Sequence, residues 1–312
     1  MDVSAIIVTR NTCQLARTAV ESVLRSRDDL SKEVLVVDNG STDDTPKELP
    51  RRFPEVRYLR AEQNLGYPRA SNWAAHEAKG RFLLLLNSDA VLPPGGLAVA
   101  VEWMRTHPDC GACGAQLLNP DGSRQNSIAN FPTLTTEMIN KSLLRRVWPS
   151  RFPGKEQTFS EPVEVESVVG AFFLTRKDLW DKLGGLDEDY FFFLEETDFC
   201  YRARKAGMRI VHLPQVQVRH EQGGSAGGMR AAARIEYWRS RYLFFSKHRP
   251  PGIRLALQIG LAGRLLIDTL ASGLMTVLSF GCSERWRQKF AGYRALIAWH
   301  CLGRPQNRGL PR

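Results

Sequence analysis

Six cysteines in 312 residues are few, and their spacing shows no disulfide framework. Cys110 and Cys113 form one C-x-x-C pair, with no second pair to complete a zinc site. Their apolar surroundings point to buried free thiols, and so to a reducing compartment. A secretory signal is also missing: Asp2 comes at once, and Arg10 interrupts a first apolar run of only strand length. The catalytic part is therefore expected to stay on the cytoplasmic side. No uncharged run reaches membrane length. Arg254, Arg264 and Asp268 break the apolar stretch from Ile253 to Phe280. Its longest charge-free part, Thr269 to Ser283, falls short of the roughly 20 residues a span requires. Finally, Thr9-Arg10-Asn11-Thr12-Cys13 lacks glycine, which argues against a glycine-rich triphosphate loop after the first strand.

What is present is an ordinary folding composition, 43% hydrophobic and 24% charged, so a packed core is expected. The charge is uneven. From Arg230 onward there are fifteen Lys or Arg against three acids, Glu236, Asp268 and Glu284. The remaining 28 bases and 30 acids nearly cancel, so the formal +10 lies in the tail. Such a tail suits an anionic surface. It carries no recognisable nucleic-acid-binding signature, so no nucleic-acid partner is expected.

The front alternates strands and helices. Val3 to Thr9, Val34 to Asp38, Val56 to Leu59 and the wholly apolar Phe82 to Leu86 read as strands. Cys13 to Leu24 and Tyr67 to Lys79 read as helices, and Ser41 with Asp44 resembles a capping box. Alternation of this kind predicts an α/β sheet with ligands beyond the carboxyl ends of its strands. Polar clusters sit at three of those ends: Thr9-Arg10-Asn11, Asp38-Asn39-Gly40 and Asn87-Ser88-Asp89. Residues Asn119 to Pro162 are turn-rich and read as an insertion. Val165 to Leu174 reads as one strand, Ile210 to Leu213 and Val216 to His220 as two more, and Glu221 to Gly228 as a glycine-rich loop. Glu195, Glu196 and Asp198 fall directly after the apolar run Tyr190-Phe191-Phe192-Phe193, at the start of a helix predicted over Glu195 to Ala206. Carboxylates held against apolar surface tend towards raised pKa values, which suits a general base.

The ordered set Ala5-Ile6-Ile7-Val8-Thr9-Arg10-Asn11, Val36-Val37-Asp38-Asn39-Gly40-Ser41-Thr42-Asp43, Asn64-Leu65-Gly66 with Asn72, Leu86-Asn87-Ser88-Asp89, Val169-Gly170-Ala171-Phe172-Phe173-Leu174 and the acidic segment with Arg202, Gly207, Pro214 and His220 covers roughly residues 3 to 225. It resembles the family 2 glycosyltransferases of the GT-A fold, particularly a bacterial rhamnosyltransferase-like group. The resemblance implies a Rossmann-like, mixed but mainly parallel sheet flanked by helices. A catalytic domain would span residues 1–228, and a basic, amphipathic helical region 229–312. It implies donor contacts from Thr9, Asn11, Asp38, Asn64, Asn87 and Arg202, and Mg²⁺ or Mn²⁺ held by Asp89 and His220. Asn87 stands where the family's DxD-type motif has its first acid, which leaves one charged ligand instead of two. Glu196 aligns with the general base, where the family commonly has Asp, and Glu195 and Asp198 remain alternatives.

The expected activity is therefore inverting transfer of a sugar from a nucleotide diphosphate donor to a hydroxyl of a cell-surface glycan or lipid-linked acceptor. Deoxythymidine-diphosphate rhamnose is favoured by the resemblance, with uridine-diphosphate hexoses close behind. A basic tail lying in the membrane interface would place the enzyme peripherally on the inner face of the cell membrane. The alternatives are a non-catalytic nucleotide or glycan binder, suggested by the reduced Asn87-Ser88-Asp89 motif, and a sugar nucleotidyltransferase, disfavoured by the missing glycine loop.

Overall fold

The computed structural model describes residues 1–26, 29–155, 157–221 and 230–312. Its chain divides into two compact units, Met1–Phe131 with Arg145–Ser225, and Pro132–Leu144 with Ala226–Arg312.

The first unit opens with β1 (Val3–Thr9), α1 (Cys13–Leu24), β2 (Lys32–Asn39), α2 (Thr45–Arg52), β3 (Arg57–Ala61), α3 (Tyr67–Glu77) and β4 (Phe82–Leu86). Strands β1 to β4 run parallel in the order β3-β2-β1-β4, and β1 and β4 are apolar because helices cover both faces. The order continues through β10 (Phe172–Arg176), β6 (Cys110–Leu118), β11 (Arg209–His220) and β5 (Ala90–Val91). β10 is antiparallel to both β4 and β6, whereas β11 is parallel to β6, so the sheet is mixed. Helix α4 (Gly96–Thr106) packs on β6 and β11. Cys110 and Cys113 are buried free thiols on β6, and burial pushes Cys110 up to about 11. The carboxyl ends of β1, β2 and β4 therefore lie side by side, which brings together the three polar clusters read from the sequence.

Three local expectations change. Ser41 does not cap α2: its hydroxyl accepts from the Asn11 N–H at 3.0 Å, and Asp43 accepts from the Thr45 N–H instead. The run from Val165 to Leu174 breaks into β8 (Val163–Val165), β9 (Ser167–Val168) and β10, because β8 pairs with β11 while β9 pairs with β7 (Ile128–Ala129). The two strands expected around Pro214 form the single strand β11, with a register shift between Leu213 and Gln217 that accommodates the proline's missing N–H. Helices α7 (Lys177–Leu183) and α8 (Glu195–Lys205) complete the first unit. Of the expected glycine-rich loop, all but Glu221 lies outside the described residues.

The second unit joins α5 (Leu134–Met138) to the tail helices α9 (Arg230–His248), α10 (Pro251–Leu278) and α11 (Glu284–Cys301); α6 (Lys141–Val147) follows α5 in the chain. A boundary near residue 228 misses this participation of residues 132–144. The tie is polar as well as apolar: the Arg241 guanidinium meets buried Glu137 at 2.8 Å, and Arg264 donates to the Glu137 carbonyl. In α10, Leu257, Leu261, Leu265, Thr269 and Ser272 recur at helical spacing and form the buried stripe. The opposite face is apolar too. Leu255, Ile259, Leu266, Ile267, Leu270, Leu274, Val277 and Leu278 are all exposed. Arg264 and Asp268 sit 3.7 Å apart and offset each other's charge. At 28 residues, or about 42 Å, α10 is long and apolar enough to cross a membrane by length and composition.

Candidate active site

The site is built where β4 ends. Asn87 donates its backbone N–H to the Ala171 carbonyl at 3.1 Å, which ties the Asn87-Ser88-Asp89 turn to the strand entry at Gly170. A Cβ placed on Gly170 would lie 3.5 Å from the Glu196 Cγ, so that turn and the first turn of α8 are neighbours. The chain enters α8 through Phe193 and Leu194, both with positive φ (72° and 67°). Non-glycine residues in the left-handed region cost on the order of 1–3 kcal/mol each, and such strain concentrates at functional sites.

Three acids share the first turn of α8, and the structure separates their roles. Asp198 is fully buried, and its Oδ2 accepts from Arg202 Nε at 2.7 Å. Arg202 also donates to the Leu183 and Gly185 carbonyls at 2.8 and 2.9 Å. All three guanidinium nitrogens thus bond within the protein, which leaves two N–H groups for the expected donor contact from Arg202 and argues against Asp198 as base. Removing one partner of such a pair strands a buried charge, so Arg202→Ala should cost about 3–5 kcal/mol in a urea melt. Stability equal to the wild type would remove this fastening role.

Glu195 is buried, whereas Glu196 keeps part of its surface open. Burial of the Glu196 carboxyl raises its pKa above the usual 4.5, against opposing hydrogen bonds from the backbone N–H groups of Glu196, Gly170 and Thr197. Tyr67, at the start of α3, lies within electrostatic reach of Glu195, Glu196 and Asp89, and burial together with those acids raises its own pKa. Gly66 sets up this position. Its φ is 83°, and an added Cβ would collide with the Phe191 carbonyl oxygen at 2.8 Å. No side-chain pattern in the sequence marks Tyr67 as part of the site.

Asp89 and His220 lie together, with Nε2 3.3 Å from the carboxylate Oδ1. β11 pairs with β5 at His220 and Ala90, which fixes this meeting in the backbone. A carboxylate and an imidazole suit a divalent cation, with donor phosphates and waters left to complete the shell. Among the described residues no third Asp, Glu, His or Cys joins them. The Asn87 side chain is half-buried nearby, with no hydrogen bond to the described residues.

The other expected donor contacts are mostly engaged in bracing the loops. Asp38 is fully buried, accepting from the Ser41 N–H at 2.9 Å and from the Tyr58 hydroxyl at 2.7 Å. Thr9 is buried in a hydroxyl chain, 2.8 Å from Thr12, which in turn lies 3.1 Å from Ser88. Asn11 is exposed, and its Oδ1 accepts from the Thr42 N–H at 2.7 Å. Asn64 accepts from Asn39 Nδ2 and from the Gly66 N–H. These residues shape the crevice by joining its loops. Arg10 beside them has a buried Nε without a hydrogen-bond partner among the described residues and is a further candidate.

Residues 4–184 match the family described as Glycosyl transferase family 2. The chain is 31% identical over 272 residues to an N-acetylglucosaminyl-diphospho-decaprenol L-rhamnosyltransferase of Mycobacterium tuberculosis, covering 82% of this chain and 87% of that protein. A rhamnosyltransferase of Escherichia coli is 24% identical over 140 residues, covering 45% of this chain and 52% of that one. Among solved structures, the mannosyltransferase of Pyrobaculum calidifontis in complex with GDP-mannose and Mn²⁺ superposes with a TM-score of 0.57 at 18% identity, covering 96% of this chain and 86% of that one. That likeness establishes a GT-A fold. By sequence, the chain belongs to glycosyl transferase family 2.

Proposed function

We propose that this glycosyltransferase moves a sugar, with L-rhamnose favoured, from a nucleotide diphosphate to a hydroxyl of a lipid-linked glycan, with inversion at the anomeric carbon. The observation that carries it is the Glu196 carboxylate, its pKa raised by burial, with Tyr67 within electrostatic reach of both Glu196 and Asp89. Glu196 takes the acceptor hydroxyl's proton as that oxygen attacks the sugar, and a base of raised pKa suits this task near neutrality. The attack from the face opposite the leaving diphosphate is what inverts the centre. Asp89 and His220 would hold a divalent cation, with Mn²⁺ and Mg²⁺ the candidates. Such an ion neutralises negative charge on the departing nucleoside diphosphate. The name of the mycobacterial relative supports a sugar on a polyprenyl diphosphate as acceptor.

A lipid-linked acceptor also gives the second unit a purpose. The bare face of α10 and the basic residues flanking it, Arg249, Arg254, Arg285, Arg287 and Lys289, suit an anionic bilayer on the cytoplasmic side. Flotation with vesicles containing anionic lipid should show attachment that weakens as salt screens these charges. Attachment indifferent to salt and released only by detergent would instead favour α10 spanning the bilayer.

The donor is tested by a thermal-shift screen of nucleotide sugars with Mn²⁺, since a ligand bound only by the folded state raises its stability. The deoxythymidine-diphosphate donor should give the largest shift. A larger shift with a uridine or guanosine donor would reassign the donor.

A further inference from the structure

We infer that Gln125 is a positioning residue that holds His220 as the Nδ1–H tautomer, so that Nε2 presents a lone pair towards Asp89. This rests on reading Asp89 and His220 as the metal pair. Gln125 lies 95 residues from His220 in sequence, in the insertion, and is only 2% exposed. Its amide orientation is fixed by what surrounds it. Nε2 of Gln125 donates to the His220 carbonyl at 2.6 Å and to Asn119 Oδ1 at 2.8 Å, and it faces the Leu118 carbonyl at 3.4 Å. Carbonyl oxygens only accept, so the amide nitrogen must point at them and the amide oxygen must point away. That oxygen lies 2.9 Å from His220 Nδ1. An amide oxygen also only accepts, so Nδ1 must carry the proton.

The consequence falls on the other ring nitrogen. In the neutral imidazole one nitrogen donates and the other accepts, so a protonated Nδ1 leaves Nε2 with a lone pair. Nε2 lies 3.3 Å from Asp89 Oδ1, so two electron-rich atoms face each other. A divalent cation suits that arrangement, and a partner on the far nitrogen both orients the ring and raises its basicity as a ligand. The same glutamine bonds the backbone and the side chain of one residue, so it sets the position of His220 as well as its tautomer.

Nitrogen-15 spectra of His220 in the metal-free protein at pH 8 test the tautomer without any substitution. Nδ1 should be protonated and Nε2 should show the signature of an unprotonated ring nitrogen. A spectrum with the proton on Nε2 would overturn the inference. Binding of Mn²⁺ in the presence of uridine diphosphate or deoxythymidine diphosphate, followed by electron paramagnetic resonance, tests the consequence. Gln125→Leu should weaken Mn²⁺ binding about 10- to 100-fold, the range usual for loss of an outer-shell partner. His220→Ala should weaken it at least as much. Wild-type binding that Gln125→Leu leaves unchanged would overturn the inference alone. A wild-type protein that binds no Mn²⁺ with either nucleotide would overturn it together with the metal reading.

Discussion

Glu196→Gln should lower turnover about 10²- to 10⁴-fold while leaving nucleotide-sugar binding intact, because the amide keeps the shape but cannot accept a proton. Glu196→Asp, which restores the family's commoner residue, should keep measurable activity. The pH profile provides a second reading. The base works only when ionised, so wild-type kcat/KM should fall on the acid side with a midpoint above the usual glutamate value of 4.5, and that limb should vanish in the Gln variant. Stability carries the opposite sign. The folded pKa is raised, so the protonated form is favoured by folding, and its stability contribution is full below the unfolded value and lost as pH rises through the folded one. At neutral pH the wild type therefore carries an unfavourable charge that glutamine lacks. Thermal melts should find Glu196→Gln as stable as the wild type or more so. A variant that turns over normally while Glu195→Gln is dead would move the base to Glu195.

Asp89→Asn should abolish the Mn²⁺ dependence of donor binding and lower turnover by at least about 10²-fold, since a metal at the leaving group supplies several kcal/mol of charge stabilisation. In the proposed site one acid would carry the charge, because residue 87 is Asn. His220, 3.3 Å away, cannot compensate, since a neutral imidazole brings no negative charge. Calorimetry with nucleotide diphosphate, with and without Mn²⁺, separates the two contributions. The wild type should bind more tightly with the metal, and the variant should bind alike in both conditions. Metal-enhanced binding that survives in the variant would remove Asp89 from the site.

The fold was legible because apolar runs of strand length alternate with helical spacing, and a buried parallel sheet leaves little freedom in reading them. The polar strand end at Asp89 and the acidic helix start at Glu195, Glu196 and Asp198 were legible as well, whereas the roles proposed for Asp89, His220 and Glu196 came from the resemblance. The internal bonds of the expected donor residues were not legible. Thr9 and Asp38 occupy strand ends too, but the sequence cannot show that they bond to Thr12 and Tyr58. The sequence could not show that Arg202, beside Asp198, also bonds the Leu183 and Gly185 carbonyls. Gln125 and Tyr67 were hidden for a different reason. Each reaches the site through contacts made by distant segments, the insertion for one and the Phe191 turn for the other. The packing of residues 132–144 with the tail is of the same kind, since Glu137 meets Arg241 across more than a hundred residues.

The most direct test of inverting transfer is the anomeric configuration of the product. Purified enzyme with Mn²⁺, deoxythymidine-diphosphate L-rhamnose and N-acetylglucosaminyl-diphospho-decaprenol should yield a disaccharide lipid, and the one-bond carbon–proton coupling at its new anomeric centre reads the configuration. A single-displacement reaction through Glu196 requires a configuration opposite to that of the donor. A product that retains the donor's configuration would contradict it.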